Sequence, residues 1–106
     1  MPFVRLETLE EKEPMPGFAG RFIHSANMTV AHWTVDVGTP LPEHSHPHEQ
    51  VVNVIEGEFE LTINGETTRL GPRSVAIVPS NAVHSGKALT KCRIIDVFSP
   101  VREDYQ

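Results

Sequence analysis

The stretch Pro42–Gln50 concentrates side chains that bind metal ions in a chain of 106 residues. Its sequence is PEHSHPHEQ, and its side chains of metal-binding type are His44, His46, His48 and Gln50. The apolar run 51–55 follows at once and is typical of a β-strand. Because side chains alternate between the faces of a strand, His44 and His46 would present two imidazoles side by side, with Gln50 at the same parity.

This cluster predicts a divalent-metal site, and it does not name the metal. Zinc, iron, nickel and manganese all accept imidazole nitrogen. An H-x-H pair offers two ligands from one rigid element, but such a pair also occurs by chance on protein surfaces. Taken alone, the pair therefore leaves a metal site and an ordinary surface cluster as open alternatives.

The composition excludes several classes of protein. The formal net charge is −5 and the nine Lys and Arg residues are scattered, so nucleic acid and membrane are not expected partners. The charged start of the chain is unlike a signal peptide, and there is no run of about 18 apolar residues to span a membrane. The one cysteine, Cys92, cannot form an intrachain disulfide. We expect a soluble cytoplasmic protein with a single core.

Alternating hydrophobicity predicts an all-β fold. Segments 28–37 and 58–64 alternate with period two, and Asn64–Gly65 is a strong hairpin signal because a type I′ turn needs positive φ at both central residues. The predicted strands are 3–6, 21–25, 28–37, 50–55, 58–64, 66–70, 75–78 and 91–98. Short strands between turn signals, without a helix longer than two turns, predict a β-sandwich or barrel and one domain over residues 1–106.

Two stretches are predicted to lie outside the strands. Gly38, Pro40 and Pro42 should interrupt pairing after residue 37, because proline cannot donate to a ladder. Residues 80–82 are predicted to form a loop that leads to His84. A single helical turn is expected at most over residues 7–12.

The spacing around Pro42–Gln50 resembles the first sequence motif of the cupin superfamily. That motif consists of Gly, then His-x-His, then usually Glu, then Gly. The matching residues here are Gly38, His44, His46, Gln50 and Gly57. The second cupin motif resembles the run from Pro79 to His84, although Arg73 and Ser74 stand where the family usually has Gly-Asp.

The resemblance covers about residues 28–98 and leaves residues 1–20 as an N-terminal arm. It implies a double-stranded β-helix, or jelly-roll barrel, with inward side chains that bind one divalent transition metal (nickel, zinc, manganese or iron). The implied ligands are His44, His46, Gln50 and His84.

Gln50 departs from the usual glutamate of the motif. Three neutral imidazoles and a neutral amide leave the charge of a divalent metal uncompensated, so the metal would be a stronger Lewis acid and would suit a carboxylate substrate. The alternative is that Gln50 has lost its ligand role and the site is degenerate.

The remaining histidines fall outside the motif. Its spacing leaves out His48, which we interpret as a residue of the rim or one that supports the ligands. Glu49 should face away from the metal, although it could still accept an N–H from a ligand. His24 and His32 are predicted to be packed or surface residues.

The last predicted strand carries a carboxylate among apolar residues. Ile94, Asp96 and Phe98 share one face, and a carboxylate there is costly to bury unless it is paired or functional. Asp96 could be an acid/base group beside the metal, or it could pair with Arg93, Arg102 or a backbone group. Arg102 in turn could bind a substrate carboxylate through two hydrogen bonds, or it could be a surface charge on the tail.

The runs HSHPHEQVVNVIEGEFELTINGE and PSNAVHSGKALTKCRIIDVFSPVRED resemble the KdgF family of pectin-degradation cupins, which also has Gln in the Glu position and the DVFSPxRED signature. The resemblance implies conversion of 4,5-unsaturated monouronates from pectin or alginate into linear 4-deoxy-5-keto uronates. It implies that Asp96 and Arg102 are catalytic and that Phe98 and Arg102 bind the substrate, a small anionic sugar acid.

Two other functions stay open at this point. Similar three-histidine cupins are metal-dependent dioxygenases, and others are non-catalytic modules that bind a sugar acid. Small cupins are usually homodimers, so we expect a homodimer here, with residues 3–6 as a candidate segment for pairing at a sheet edge.

Overall fold

Two antiparallel β-sheets face each other across one apolar core, and the computed structural model describes residues 2–106. The strands are β1 (Lys12–Met15), β2 (Phe18–His24), β3 (Thr29–Val35), β4 (Pro40–His44), β5 (Glu49–Glu56), β6 (Phe59–Ile63), β7 (Glu66–Leu70), β8 (Val75–Val78), β9 (His84–Ala88) and β10 (Cys92–Ser99). The six-stranded sheet has the order β1-β2-β3-β10-β5-β8, and the four-stranded sheet has the order β4-β9-β6-β7. The prediction of an all-β jelly roll is confirmed.

The core follows from the period-two pattern of the strands. In β3, Ala31, Trp33 and Val35 are buried, whereas the residues between them are half-buried. The rings of Trp33 and Phe22 pack edge to face, with 5.3 Å between their centroids, which places an aromatic cluster beside the inward face of β10. The other apolar residues of the core are Phe18, Val52, Val54, Phe59, Leu61, Leu70, Val78, Ala82, Ala88, Cys92, Ile94 and Phe98.

Strand β10 lies near the middle of the six-stranded sheet and pairs with both β3 and β5. Its buried residues are Cys92, Ile94, Asp96 and Phe98, so the face predicted from parity points into the barrel. Asp96 lies opposite Ala31 on one side and Val52 on the other. The single carboxylate of this strand therefore lies in the interior of the barrel and not on its surface.

Several predicted elements are wrong in detail. Residues 3–6 do not form a strand; Phe3 and Val4 are exposed, and a short 3-10 helix covers Leu6–Thr8. Strand β1 was not predicted; it lies within the expected N-terminal arm and pairs with β2, which the predicted strand 21–25 overlaps. The interruption expected after residue 37 is brief, because β4 begins at Pro40 and pairs with β9. Strand β9 was predicted only as the end of a loop.

Proline in β4 is compatible with pairing because this strand lies at the edge of its sheet. An edge strand forms sheet hydrogen bonds on one side only. Such a strand can therefore contain Pro40 and Pro42, which lack a backbone N–H, at less cost than a central strand could. Within residues 2–106, no helix has the length and apolar character that crossing a membrane requires.

Candidate metal centre

Four predicted ligands come together at one end of the barrel, between the two sheets. His44 ends β4 and lies opposite His84, the first residue of β9, so the four-stranded sheet supplies two imidazoles. Gln50 lies on β5 of the six-stranded sheet, and His46 lies in the loop that carries the chain from one sheet to the other. The expectation that His44, His46 and Gln50 share one strand is wrong, because the chain leaves β4 after His44 and enters β5 at Glu49.

The loop that carries His46 is fixed by the loop that precedes His84. The N–H of Asn81 donates to the carbonyl of His46 at 2.8 Å, and the Ser80 hydroxyl donates to the carbonyl of Pro47 at 2.6 Å. Asn81 has a φ of 65°, which asparagine tolerates better than most residues. These contacts join the two sequence motifs, which are far apart along the chain.

The ligating nitrogens converge. The ligand atoms of His44, His46 and His84 lie within 4.8 Å of one another. The rings of His44 and His84 are 4.1 Å apart between centroids, and those of His46 and His84 are 4.9 Å apart. The planes of these ring pairs are inclined by 53° and 78°, so the imidazoles do not stack on each other.

Each imidazole is oriented by a backbone carbonyl. The Nδ1 atoms of His44, His46 and His84 lie 2.7, 2.9 and 2.9 Å from the carbonyls of Pro42, His48 and Ala82. A carbonyl can only accept, so each Nδ1 carries the proton and each neutral ring keeps a lone pair on Nε2. This is the tautomer that a metal ligand requires, and the carbonyl is the supporting partner that such ligands usually have.

The donor set fits a divalent transition metal. His84 Nε2 is buried without a hydrogen-bond partner among residues 2–106. His46 Nε2 lies 3.2 Å from Oε1 of Gln50, so two lone pairs are directed at the same space. Both arrangements are costly in a buried site, and a bound cation relieves both. Three imidazoles and one amide oxygen are donors that nickel, zinc, manganese and iron all accept.

Electrostatics keeps the imidazoles ready to bind a metal. Burial lowers the pKa of His84 from 6.5 to about 4, and burial and the charge of Arg102 lower the pKa of His46. Both rings are therefore neutral at physiological pH. A neutral imidazole is the form that binds a metal, so metal does not have to displace a proton there.

The other histidines have different surroundings. His48 is half-buried; its Nε2 lies 3.2 Å from the carbonyl of Val101, and its own carbonyl holds His46. Glu49 is exposed, with its side chain on the opposite face of β5 from Gln50. His24 is 2.8 Å from the hydroxyl of Thr29, and His32 lines a cleft on the outer face of the six-stranded sheet. Neither His24 nor His32 belongs to the cluster.

Asp96 faces the same cavity as the imidazole cluster. It is 8% exposed, and its Oδ2 accepts a hydrogen bond from the Trp33 indole at 3.1 Å. Its Oδ1 is buried without a partner within the described residues 2–106. Burial raises the pKa of Asp96 to about 7, against opposing effects of the Gln50 amide, the Trp33 indole and the Arg102 charge. The carboxyl can therefore carry a proton near neutral pH.

Arg102 lies over the site and is not a surface charge. Its guanidinium is 4.7 Å from the Phe98 ring centroid and 4.3 Å from that of Tyr105. Its backbone N–H donates to the buried hydroxyl of Thr29 at 2.9 Å. Arg102 pairs with Asp104 and not with Asp96, so the pairing that was considered for Asp96 is absent within residues 2–106.

Sequence reasoning missed part of this site. Trp33, Tyr105 and Asp104 contact Asp96 or Arg102, and none of them belongs to either cupin motif. Asp104 ends the DVFSPxRED signature, but no role was predicted for it. The one signal for Tyr105 was an aromatic residue in an otherwise polar tail. The orienting carbonyls left no signal, because every residue type provides one.

Comparison with known proteins agrees with this architecture. The family model described as a cupin domain matches residues 31–98. An uncharacterised protein of Streptomyces coelicolor is 31% identical over 102 residues, which cover 94% of this chain and 97% of that protein. The pectin degradation protein KdgF of Dickeya dadantii is 35% identical over 71 residues, 65% of this chain and 62% of that protein.

The solved structure of KdgF from Halomonas sp. superposes with a TM-score of 0.92 at 28% identity, and the match covers 100% of this chain and 99% of that one. The resemblance to the cupin superfamily is thus confirmed at the level of sequence and of fold. The family model covers well over half of the chain, and the jelly roll with its three-histidine cluster agrees with it, so the chain belongs to the cupin family.

Proposed function

We propose that this cupin is a metal-dependent isomerase that converts 4,5-unsaturated monouronates from pectin or alginate breakdown into linear 4-deoxy-5-keto uronates. The observation that carries the proposal is the placement of Asp96. A buried carboxyl with a free oxygen faces the cavity that the three imidazoles and Arg102 also line. Such a group is costly to bury, and a module that only bound metal would have no use for it.

The reaction is balanced without an oxidant. Opening of the ring hemiacetal breaks the bond between C1 and the ring oxygen, and it leaves an aldehyde at C1 and an enol at C5. Transfer of a proton to C4, with loss of the enol proton, gives the ketone at C5, so substrate and product are isomers. We assign the proton transfer to C4 to Asp96, whose raised pKa suits a group that gives up a proton near neutral pH.

Two further residues would bind the sugar acid. Arg102 offers a planar cation suited to the substrate carboxylate, and Phe98 offers an apolar face beside it. A divalent metal held by His44, His46, Gln50 and His84 would supply Lewis acidity toward the substrate oxygens. Gln50 in place of a carboxylate leaves the charge of the site more positive, which supports an anionic substrate.

The test is the Asp96→Asn variant with unsaturated galacturonate as substrate. We expect kcat to fall about 10²- to 10⁴-fold, the range of a lost general acid, while metal content stays equal to that of the wild type. Turnover is followed as loss of the ultraviolet absorbance of the C4–C5 double bond, above the rate without protein. In D₂O, the wild-type product should carry one deuterium at C4.

Asp36→Asn is the matched control, because Asp36 is an exposed aspartate just after β3 and should leave turnover unchanged. Wild-type turnover by Asp96→Asn with metal bound would contradict the assigned role. Oxygen consumption during the reaction would favour the dioxygenase alternative. Binding of the sugar acid without any chemical change would favour the non-catalytic module.

A further inference from the structure

The C-terminal segment 101–106 folds over the cavity of the metal centre. A short 3-10 helix covers Glu103–Tyr105, and it is held by hydrogen bonds of 3.1 Å from the N–H of Tyr105 to the carbonyl of Arg102 and from Gln106 to Glu103. Tyr105 forms one wall of the cavity, and its ring lies 5.8 Å from that of Trp33. This short helix therefore joins the site directly, although it follows the last strand of the barrel.

The guanidinium of Arg102 is already paired with a carboxylate of the same chain, that of Asp104. Nε of Arg102 donates to Oδ1 of Asp104 at 2.9 Å, and Nη2 donates to Oδ2 at 2.7 Å. This is the bidentate geometry that arginine also offers to a ligand carboxylate. The hydrogen bond from Arg102 lowers the pKa of Asp104, so the pair is ionised at neutral pH.

The cavity is too small for a sugar acid. Its volume is about 30 Å³, whereas sites for small molecules typically begin at about 300 Å³. The space suffices for an ion or one or two water molecules. A sugar ring can enter only if a wall moves, and Tyr105 is a wall residue that lies outside both sheets, at the end of a 3-10 helix of three residues.

We propose that Asp104 is an internal competitor for the carboxylate of the substrate: the sugar acid replaces Asp104 on Arg102, and Glu103–Tyr105 then moves away from the cavity. The inference rests on the proposed function only for the class of ligand, a small sugar acid. Asp104 is suited to this exchange because its side chain is 58% exposed, whereas that of Arg102 is 11% exposed. The carboxylate can leave into water while the guanidinium stays in place.

The competing explanation is that Asp104 is a positioning residue that stays on Arg102 when a ligand binds. The two explanations predict opposite effects of Asp104→Asn, which keeps the shape of the side chain and removes its charge. Loss of a competitor should tighten the binding of a sugar acid, whereas loss of a positioning contact should weaken it.

The experiment measures binding to the full chain loaded with Ni²⁺. The probes are D-galacturonate and the neutral sugar D-galactose, and binding is measured by calorimetry for the wild type, Asp104→Asn and Glu103→Gln. Glu103 is an exposed neighbour without a salt bridge among residues 2–106, so Glu103→Gln removes the same charge from the same helix without touching Arg102. It controls for the long-range effect of charge.

We expect Asp104→Asn to bind D-galacturonate about two- to fivefold more tightly than the wild type, the range that a partly exposed ion pair allows. Glu103→Gln should match the wild type, and the affinity for D-galactose should not change in either variant. Equal or weaker binding of D-galacturonate by Asp104→Asn would overturn the proposal, as would a failure of D-galacturonate to bind any of the three proteins.

A second measurement follows the movement itself. The chain has one tyrosine, so incorporation of 3-fluorotyrosine gives a single ¹⁹F resonance that reports on Tyr105. Saturating D-galacturonate should shift this resonance toward that of an exposed tyrosine, and D-galactose should not. A resonance that does not move would overturn the proposed opening.

Neither measurement needs turnover. A wild type that does not isomerise unsaturated uronates, but whose Asp104→Asn variant binds D-galacturonate more tightly, would disprove the proposed function and leave the competition standing. Normal turnover together with a ¹⁹F resonance that D-galacturonate does not shift would support the proposed function and overturn the proposed opening.

Discussion

At the scale of residues, neighbouring histidines that look alike in the sequence have different surroundings in the structure. His46 and His48 are two residues apart, yet the Nε2 of His46 faces the cluster and that of His48 faces the carbonyl of Val101. The side chain of His48 lies outside the cluster of His44, His46 and His84, and its backbone carbonyl orients His46. The motif spacing predicted this division, and the structure supplies the physical reason for it.

This difference predicts how two alanine variants bind metal. His46→Ala should lose most of the bound Ni²⁺, because it removes a nitrogen donor, whereas His48→Ala should retain it, because the carbonyl of residue 48 is unaffected. Metal-to-protein ratios after gel filtration provide the measurement. His48 makes the matched control, and a variant at position 48 that lost as much metal as the one at position 46 would contradict the assignment.

At the scale of elements, turn glycines differ in what surrounds them. Gly57 and Gly65 have nearly equal positive φ values of 88° and 84°. A Cβ at Gly57 would overlap the carbonyl of Lys91 and lie 2.9 Å from Cys92 Sγ, whereas a Cβ at Gly65 would meet nothing within 4 Å. The first glycine is required for close packing between two turns, and the second only for its backbone conformation.

We therefore expect Gly57→Ala to destabilise the protein more than Gly65→Ala. Both variants carry about 1 kcal/mol or more of backbone strain, and Gly57→Ala adds an overpacking cost of about 1–3 kcal/mol. Thermal unfolding should place the midpoint of Gly57→Ala roughly 5 °C or more below that of Gly65→Ala. Equal midpoints would mean that the turn at Gly57 relaxes without cost.

The elements that could be predicted from sequence are those whose conformation follows from their own residues, through alternating hydrophobicity or turn-forming residues. Strands β3, β6 and β10 alternate clearly, and the hairpin at Asn64–Gly65 is set by local turn chemistry. Strands β4 and β9 could not be predicted because their conformation depends on pairing across the sheet, of β4 with β9 and of β9 with both β4 and β6. A strand of Pro40–His44 that contains two prolines has no favourable pattern of its own, and its pairing with His84–Ala88 decides its conformation.

The same distinction applies to the site. The four proposed ligands could be named from motif spacing and from resemblance, and Asp96 and Phe98 also from their parity on β10. The partners of Arg102 could not be named, because they depend on how the last turn folds back after β10 ends. Trp33 gave a signal only for the core, although its indole N–H also contacts Asp96.

At the scale of the whole molecule, the barrel encloses ionisable groups whose protons affect its stability. Burial raises the pKa of Asp96 from 3.8 to about 7. Between these values the folded protein holds a proton that the unfolded chain has released. The contribution of this carboxyl to stability is therefore fully present below pH 3.8 and is lost as the pH rises through 7.

We expect Asp96→Asn to reduce the loss of stability of the chelator-treated protein between about pH 5 and about pH 8. Urea unfolding at the two pH values gives the comparison with the wild type. His84, whose pKa is lowered to about 4, contributes a slope of opposite sign below pH 6.5 that is common to both proteins. Asp36→Asn should behave like the wild type, and an unchanged slope in Asp96→Asn would show that Asp96 does not carry this proton.

The homodimer stays a prediction at this scale. Strand β8 ends the six-stranded sheet and carries Val75 and Ile77, both largely exposed, so a second copy would find an open edge and apolar side chains there. The segment 3–6, considered earlier for such pairing, lacks the extended strand that it would need.

The three carbonyls that hold the imidazoles have a consequence for how this site can change over time. A carbonyl belongs to the backbone, so the residues at positions 42, 48 and 82 can be exchanged without loss of the group that orients each ring. What must be inherited is the path of strand β4 and of two loops, and not the identity of their side chains. Lineages can therefore diverge at these positions and keep the same tautomers, and a search for invariant supporting residues would overlook the supports that matter most.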